Sequence, residues 1–174
     1  MKGVIVGCIS SIVKEKFGNE TWGETLTGAG LSQGKTYLAG MDVDDNEVME
    51  IIKSLCKLKN MTLEQVSDLF GDYWVNVYCP KIYGVYYRNI TSAREFLLKL
   101  DEIHNKVTKN VQNAAPPRFN YTLKDENTLI MEYKSLRGLI VFFISLAKAV
   151  GKYFKEDITV KKLESNKIEI NFKG

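Results

Sequence analysis

Among 174 residues there is one histidine, and there are only three prolines and three cysteines; each scarcity removes a class of function. Cys8, Cys56 and Cys79 are odd in number and form no C-x-x-C pair, which argues against a disulfide framework and against a cysteine-built zinc site. A reducing, cytoplasmic setting is the expectation. Net charge is only +3 and the lysines are spread along the chain, so no nucleic-acid partner is expected. Long hydrophobic runs are missing as well. The longest, Leu139 to Ile144 extended through Leu146 and Ala147, is broken by Ser145 and falls far short of the roughly 20 residues of a membrane span. The opening MKGVIVGCISSIV carries no small-residue cleavage pattern, so no signal peptide is expected either.

What is present is a composition, 45% hydrophobic and 26% charged, able to bury a real core. The length suits one domain with room for two subdomains. The first two-thirds reads as helix. An amphipathic segment runs from about Val4 to Lys16 and stops near Gly18. Asp44 or Asp45 can cap a second helix in which Val48, Ile51, Ile52, Leu55 and Leu58 recur at helical spacing. Thr62 with Gln65 forms a capping box for a third, carrying Val66, Leu69, Phe70, Tyr73 and Val77, which Pro80 is expected to end. Ser92 with Glu95 opens another, with Phe96, Leu97, Leu100, Ile103 and Val107 on its apolar side.

After Ala114-Ala115-Pro116-Pro117 the pattern changes to alternation. Residues 118–123 and 128–133 read as strands joined by a turn, an apolar helix follows from about Gly138 to Phe154, and residues 158–162 and 167–172 read as two further strands. Helices followed by β-β-α-β-β predict an α+β fold with a four-stranded antiparallel sheet.

Two features could carry chemistry. His104 lies four residues after Leu100 and seven after Leu97, on the apolar side of its helix. Such a position suits a core histidine bonded to a backbone carbonyl. A neutral imidazole in such a place is also what a haem iron takes as its ligand, and the position alone does not decide. The second feature is Tyr133-Lys134-Ser135-Leu136-Arg137. While extended geometry lasts, Tyr133, Ser135 and Arg137 share one side, two hydroxyls and a guanidinium suited to a carboxylate. An edge strand with polar residues facing water fits these three residues as well.

Taken together, the opening MKGVIVG, the helix around Asp101-Glu102-Ile103-His104, the Pro116-Pro117 pair and the Y-x-S-x-R run resemble the H-NOX (haem nitric oxide/oxygen binding) family in order and spacing. These domains are bacterial relatives of the haem domain in the soluble guanylate cyclase β subunit, and the resemblance extends from Met1 to about Phe172. It implies one domain over residues 1–174, with a helical N-terminal subdomain to about residue 60, a haem-binding α+β subdomain from about 61, and the haem between them. It implies haem b with His104 as the iron's ligand, Tyr133, Ser135 and Arg137 on the propionates, and Pro117 pressing on the porphyrin. No zinc is expected, since the C-terminal region lacks the cysteines of family members that hold one. Cys79-Pro80 resembles haem-regulatory thiolate motifs, but a helix-ending proline is the simpler reading.

On the distal side the resemblance points to Ile5, Trp74, Phe142 and Leu146. Where oxygen-binding members have a donor tyrosine, this chain has Phe142, which has no donor. The implied function is therefore a sensor of NO, also binding CO, in which NO weakens the bond to His104. Tyr78, one helical turn beyond Trp74, keeps an oxygen sensor open as the alternative. A haem enzyme is disfavoured, because the sole histidine leaves none for distal acid–base work. Partners of the family are histidine kinases, diguanylate cyclases or fused chemotaxis-receptor modules. Gly71, inside the third helix, is read either as a hinge or as a point of close packing.

Overall fold

A computed structural model describes residues 1–173; Gly174, the last residue of the expected C-terminal subdomain, lies outside the described residues. The chain divides into two compact units, Met1–Phe70 and the remainder from Gly71.

The first unit is helical, with α1 (Gly3–Phe17), α2 (Asn19–Gly28), α3 (Asp45–Lys59) and the start of α4 (Leu63–Tyr73). α3 forms as its sequence dictates. The Asp44 carboxylate accepts from the Asn46 amide at 2.7 Å, acidic residues fill the first turn, and Lys57 and Lys59 sit in the last. Its core face is Val48, Ile51, Ile52 and Leu55, each contributing roughly 1.5–3 kcal/mol on burial. Leu58 keeps the same period but is exposed at the helix end, where Asn60 closes it with a left-handed φ of 50°.

α2 was not expected. Its sequence NETWGETLTG has no apolar period and is rich in poor helix formers. It is held by packing of Trp22 and Leu26, while Thr21 and Thr25 enter the core because their hydroxyls donate to carbonyls one turn back, at 2.8 and 2.7 Å. The segment after α2 is fastened to α3 by Glu47, which accepts from Lys35 and Tyr37 at 2.7 Å each. Lys35 chiefly holds the Glu47 carboxyl below its ordinary pKa, against the opposing effect of burial, and Tyr37 adds to the lowering. Gly3 makes room for the same segment: a Cβ there would lie 2.0 Å from the Leu38 carbonyl oxygen.

The second unit carries the sheet. Its strands are β1 (Arg118–Leu123), β2 (Thr128–Lys134), β3 (Ile158–Lys162) and β4 (Lys167–Phe172), all neighbours antiparallel in the order β1-β2-β4-β3. Phe119 pairs with Tyr133, Met131 with Ile168 and Leu129 with Ile170, so strict alternation puts one apolar face inward. Residues of α6 (Ala93–Thr108) and α7 (Ile140–Phe154) complete that core through Phe96, Leu97, Phe143, Ala147 and Val150. The α+β class and the four antiparallel strands are as the alternation predicts. α7 starts two residues later than expected because Gly138 takes a positive φ of 62°.

Two helix signals need correction. Ser92 does accept from the Glu95 amide at 3.1 Å, but the Glu95 carboxylate reaches back to Thr91 rather than to Ser92, so the box is only half formed. The second carboxylate at this helix start is Glu156, which accepts from the Ala93 amide at 3.0 Å. Pro80 does not end the third helix. After α4 the chain widens into a π-helical turn, Trp74–Tyr78, and continues as α5 (Cys79–Tyr83) and a 3₁₀ turn, Gly84–Tyr86. Pro80 occupies the first turn of α5, where the amide it lacks is not needed by that helix.

Gly71 is a packing point. A Cβ there would lie 2.7 Å from the Ser145 carbonyl carbon and 2.8 Å from its oxygen, both backbone atoms of α7. Only glycine lets these two helices approach so closely.

Candidate haem site

His104 stands on α6 and is partly buried. Its Nδ1 lies 3.0 Å from the carbonyl oxygen of Pro117, and since a carbonyl can only accept, Nδ1 carries the proton and donates. The lone pair is then on Nε2. This is the tautomer an iron ligand needs, fixed by a carbonyl contact of the kind that orients metal-bound imidazoles. Burial holds the imidazole's pKa below its ordinary value, with the Pro117 contact opposing, which favours the neutral ring.

Asp101, one turn before His104, ties α6 to the start of β1. Its carboxylate pairs with the Arg118 guanidinium and accepts from the Phe119 amide at 2.9 Å, and its own amide donates to the Tyr121 hydroxyl at 3.0 Å. Together with the Pro117 contact, this fastens His104's helix to four of the five residues from 117 to 121. Sequence reasoning used Asp101 only as part of a motif. The signal it overlooked was a carboxylate at i−3 from the sole histidine, on the same helix face.

Aromatic rings connect His104 to the Y-x-S-x-R run. His104 lies 5.6 Å from Phe119, Phe119 4.8 Å from Phe143, and Phe143 stacks on Tyr133 at 5.5 Å. Phe119 and Phe143 were not among the expected site residues. β2 ends at Lys134, so the extended geometry expected to align Tyr133, Ser135 and Arg137 stops at the first of them. Tyr133 is buried in the ring cluster. Ser135 and Arg137 are instead brought together by a turn, the Ser135 hydroxyl accepting from the Arg137 amide at 3.2 Å. Arg137 Nη1 donates to the Ala115 carbonyl at 2.6 Å, which links the run to the Pro116-Pro117 segment. A neutral imidazole with its lone pair on Nε2, the neighbouring aromatic rings and the Arg137 guanidinium form a donor set that fits haem.

The remaining expected residues fall on three elements. Ile5 is partly buried on α1 of the helical unit. Phe142, buried, and Leu146, partly buried, lie one turn apart on α7, which packs along the π turn. In that turn Trp74 and Tyr78 stack at 5.7 Å with planes 20° apart. Cys79 is buried, and desolvation pushes its thiol well above the ordinary range, opposite to what a thiolate ligand requires.

A family model described as haem-NO-binding matches residues 2–162. The chain belongs to the H-NOX family. It is 25% identical over 165 residues to soluble guanylate cyclase gcy-32 of Caenorhabditis elegans, and 24% over 165 residues to gcy-34 of the same organism. Each match covers 92% of this chain but 24% of the relative, so the chain spans about a quarter of the curated relatives' length. Among solved structures, a Cs H-NOX variant bearing an unnatural amino acid matches at TM-score 0.90 and 26% identity, over 100% of this chain and 97% of that one. An oxygen-binding H-NOX domain related to soluble guanylate cyclases, in its oxygen complex, matches at 0.84 and 26%, over 100% and 96%. The H-NOX domain is a haem-binding gas sensor and not itself a catalyst, and no helix among the described residues is long and apolar enough to cross a membrane.

Proposed function

We propose that this H-NOX domain binds one haem b through Nε2 of His104 and senses NO, taking CO as well, in preference to oxygen. When bound, haem supplies a ferrous iron able to take up a diatomic gas. The contact from Nδ1 of His104 to the Pro117 carbonyl carries the proposal, because it puts the ring proton on Nδ1 and leaves the Nε2 lone pair for the iron. Arg137, with Ser135 beside it and Tyr133 in the ring cluster, is proposed to meet the propionates, the guanidinium supplying the charge-assisted contact. Pro117 offers its carbonyl to His104, and its ring would press on the porphyrin of a bound haem.

Selectivity is proposed to come from Phe142. Oxygen taken up at a ferrous haem would need a hydrogen-bond donor beside it, NO would need one far less, and Phe142 offers none. The Trp74–Tyr78 stack and Leu146 add bulk beside it. Accordingly, Phe142→Tyr is expected to turn a protein that is merely oxidised in air into one with a stable oxygen complex, read by its absorption bands over minutes. Were that variant still unable to hold oxygen, α7 would not line the gas side.

The second reading, oxygen sensing through Tyr78, draws support from the similarity to an oxygen-binding domain and from Tyr78's place in the stack. It requires wild-type protein to hold oxygen and Tyr78→Phe to lose it. For output, we propose that a change in the hold on His104 is passed through Asp101 to the start of β1. A cytoplasmic partner of the histidine-kinase, diguanylate-cyclase or chemotaxis-receptor kind would read it by preferring one of the two states.

A further inference from the structure

The π turn has a cause that can be traced to two residues. In it the Cys79 amide donates to the Trp74 carbonyl, five residues back, and so is no longer available to Val75, its partner in an α-helix. The next amide in line belongs to residue 80, which is proline and has none. The Val75 carbonyl, in a buried residue of the core cluster, would therefore be orphaned. It is not, because the Tyr87 hydroxyl, twelve residues on, donates to it at 3.3 Å. Tyr87 is itself fixed between α6 and α7, with its ring 4.9 Å from Phe96 and 4.9 Å from Tyr153.

We infer that Tyr87 is a positioning residue for gas selectivity: its hydroxyl replaces the amide that Pro80 lacks, and so holds residues 74–78 in the π register that stacks Trp74 on Tyr78 opposite α7. The inference rests on the proposed reading of Trp74 and Tyr78 as the gas-side residues. Its first part does not depend on that reading. A wide turn is costly to keep and is retained where the surroundings over-determine it. Here the over-determination comes from one hydroxyl, which also bonds with the Cys79 side chain and is delivered from a ring wedged between His104's helix and Phe142's helix. Any shift of those helices reaches the Val75 carbonyl through Tyr87, so gas-side geometry and the histidine helix share a mechanical link.

Tyr87→Phe tests this while keeping the ring and its packing. Amide exchange by NMR is expected to speed up about tenfold or more at Tyr78 and Cys79, with β2 and the centre of α7 unchanged. Adding Pro80→Ala, which returns a backbone amide to the same turn, is expected to restore most of the protection. Packing through the ring alone would not respond to that second change. Unchanged exchange at Cys79 in Tyr87→Phe, or no recovery with Pro80→Ala, would overturn the assignment of Tyr87. The C–O stretch of the ferrous CO adduct then reads the gas side: Tyr87→Phe is expected to shift or split the band. If exchange responds as expected while the band stays fixed, Tyr87 holds the turn but Trp74 and Tyr78 do not face the gas, and the selectivity role is rejected.

Discussion

His104→Gly is expected to abolish the native ferrous spectrum, and millimolar imidazole to restore it. The variant deletes the only histidine while leaving Asp101 to hold the helix on β1, so the second unit keeps its shape. A glycine in the helix interior costs about 1 kcal/mol. The lost ring leaves a small apolar space beside Phe119 and Pro117 that free imidazole can enter, with the Pro117 carbonyl there to accept its N–H. Titrating imidazole into the reduced variant checks this. A variant with an unchanged spectrum and no imidazole response would mean that another residue binds the iron.

Gly71→Ala is expected to destabilise the protein by about 2 kcal/mol, despite alanine's better helix propensity of about 1 kcal/mol. The atoms a methyl would strike belong to the backbone at Ser145, so no rotamer change relieves the clash; α4 and α7 must separate. For a chain of this size that is a fall in melting temperature of about 4–8 °C, measurable by circular dichroism. Separation would also move Phe142, three residues before Ser145, and so loosen the gas side proposed for it. A hinge at Gly71 predicts the opposite pattern, with stability equal to or above wild type and only the gas response altered.

Much of this fold was legible in the sequence wherever one physical signal acted alone. The strands follow from period-two alternation, and β1, β3 and β4 begin and end where that alternation does. α3 and α6 follow from a cap plus a 3.6-residue stripe. The misses share a different cause. α2 is held by tertiary packing of Trp22 and Leu26 and by threonines that bond to their own helix, none of which produces an apolar period. Pro80 was read locally as a terminator, and the compensation that lets the chain continue comes from Tyr87. A carbonyl rescued from a distance leaves no local trace.

The site divides in the same way. His104 and the Y-x-S-x-R run could be picked out as residue types at a spacing, and the family resemblance that joined them is shown by the match over residues 2–162. Their orientation could not be read. The Nδ1 contact requires knowing that the Pro116-Pro117 segment returns to α6, and Asp101's role requires knowing that β1 starts beside it. Ser135 and Arg137 were expected to align along a strand, and the turn that unites them begins as the strand ends.

The most direct test is the absorption spectrum of the anaerobically reduced protein, recorded before and after separate exposure to air and to NO. A single five-coordinate ferrous band that NO shifts, and that air alters only by slow oxidation, is the predicted result for haem held by His104 with Phe142 on the gas side. A stable split-band oxygen complex in air would contradict the preference for NO and transfer the assignment to Tyr78, and a colourless protein after expression with ample haem would contradict the account as a whole.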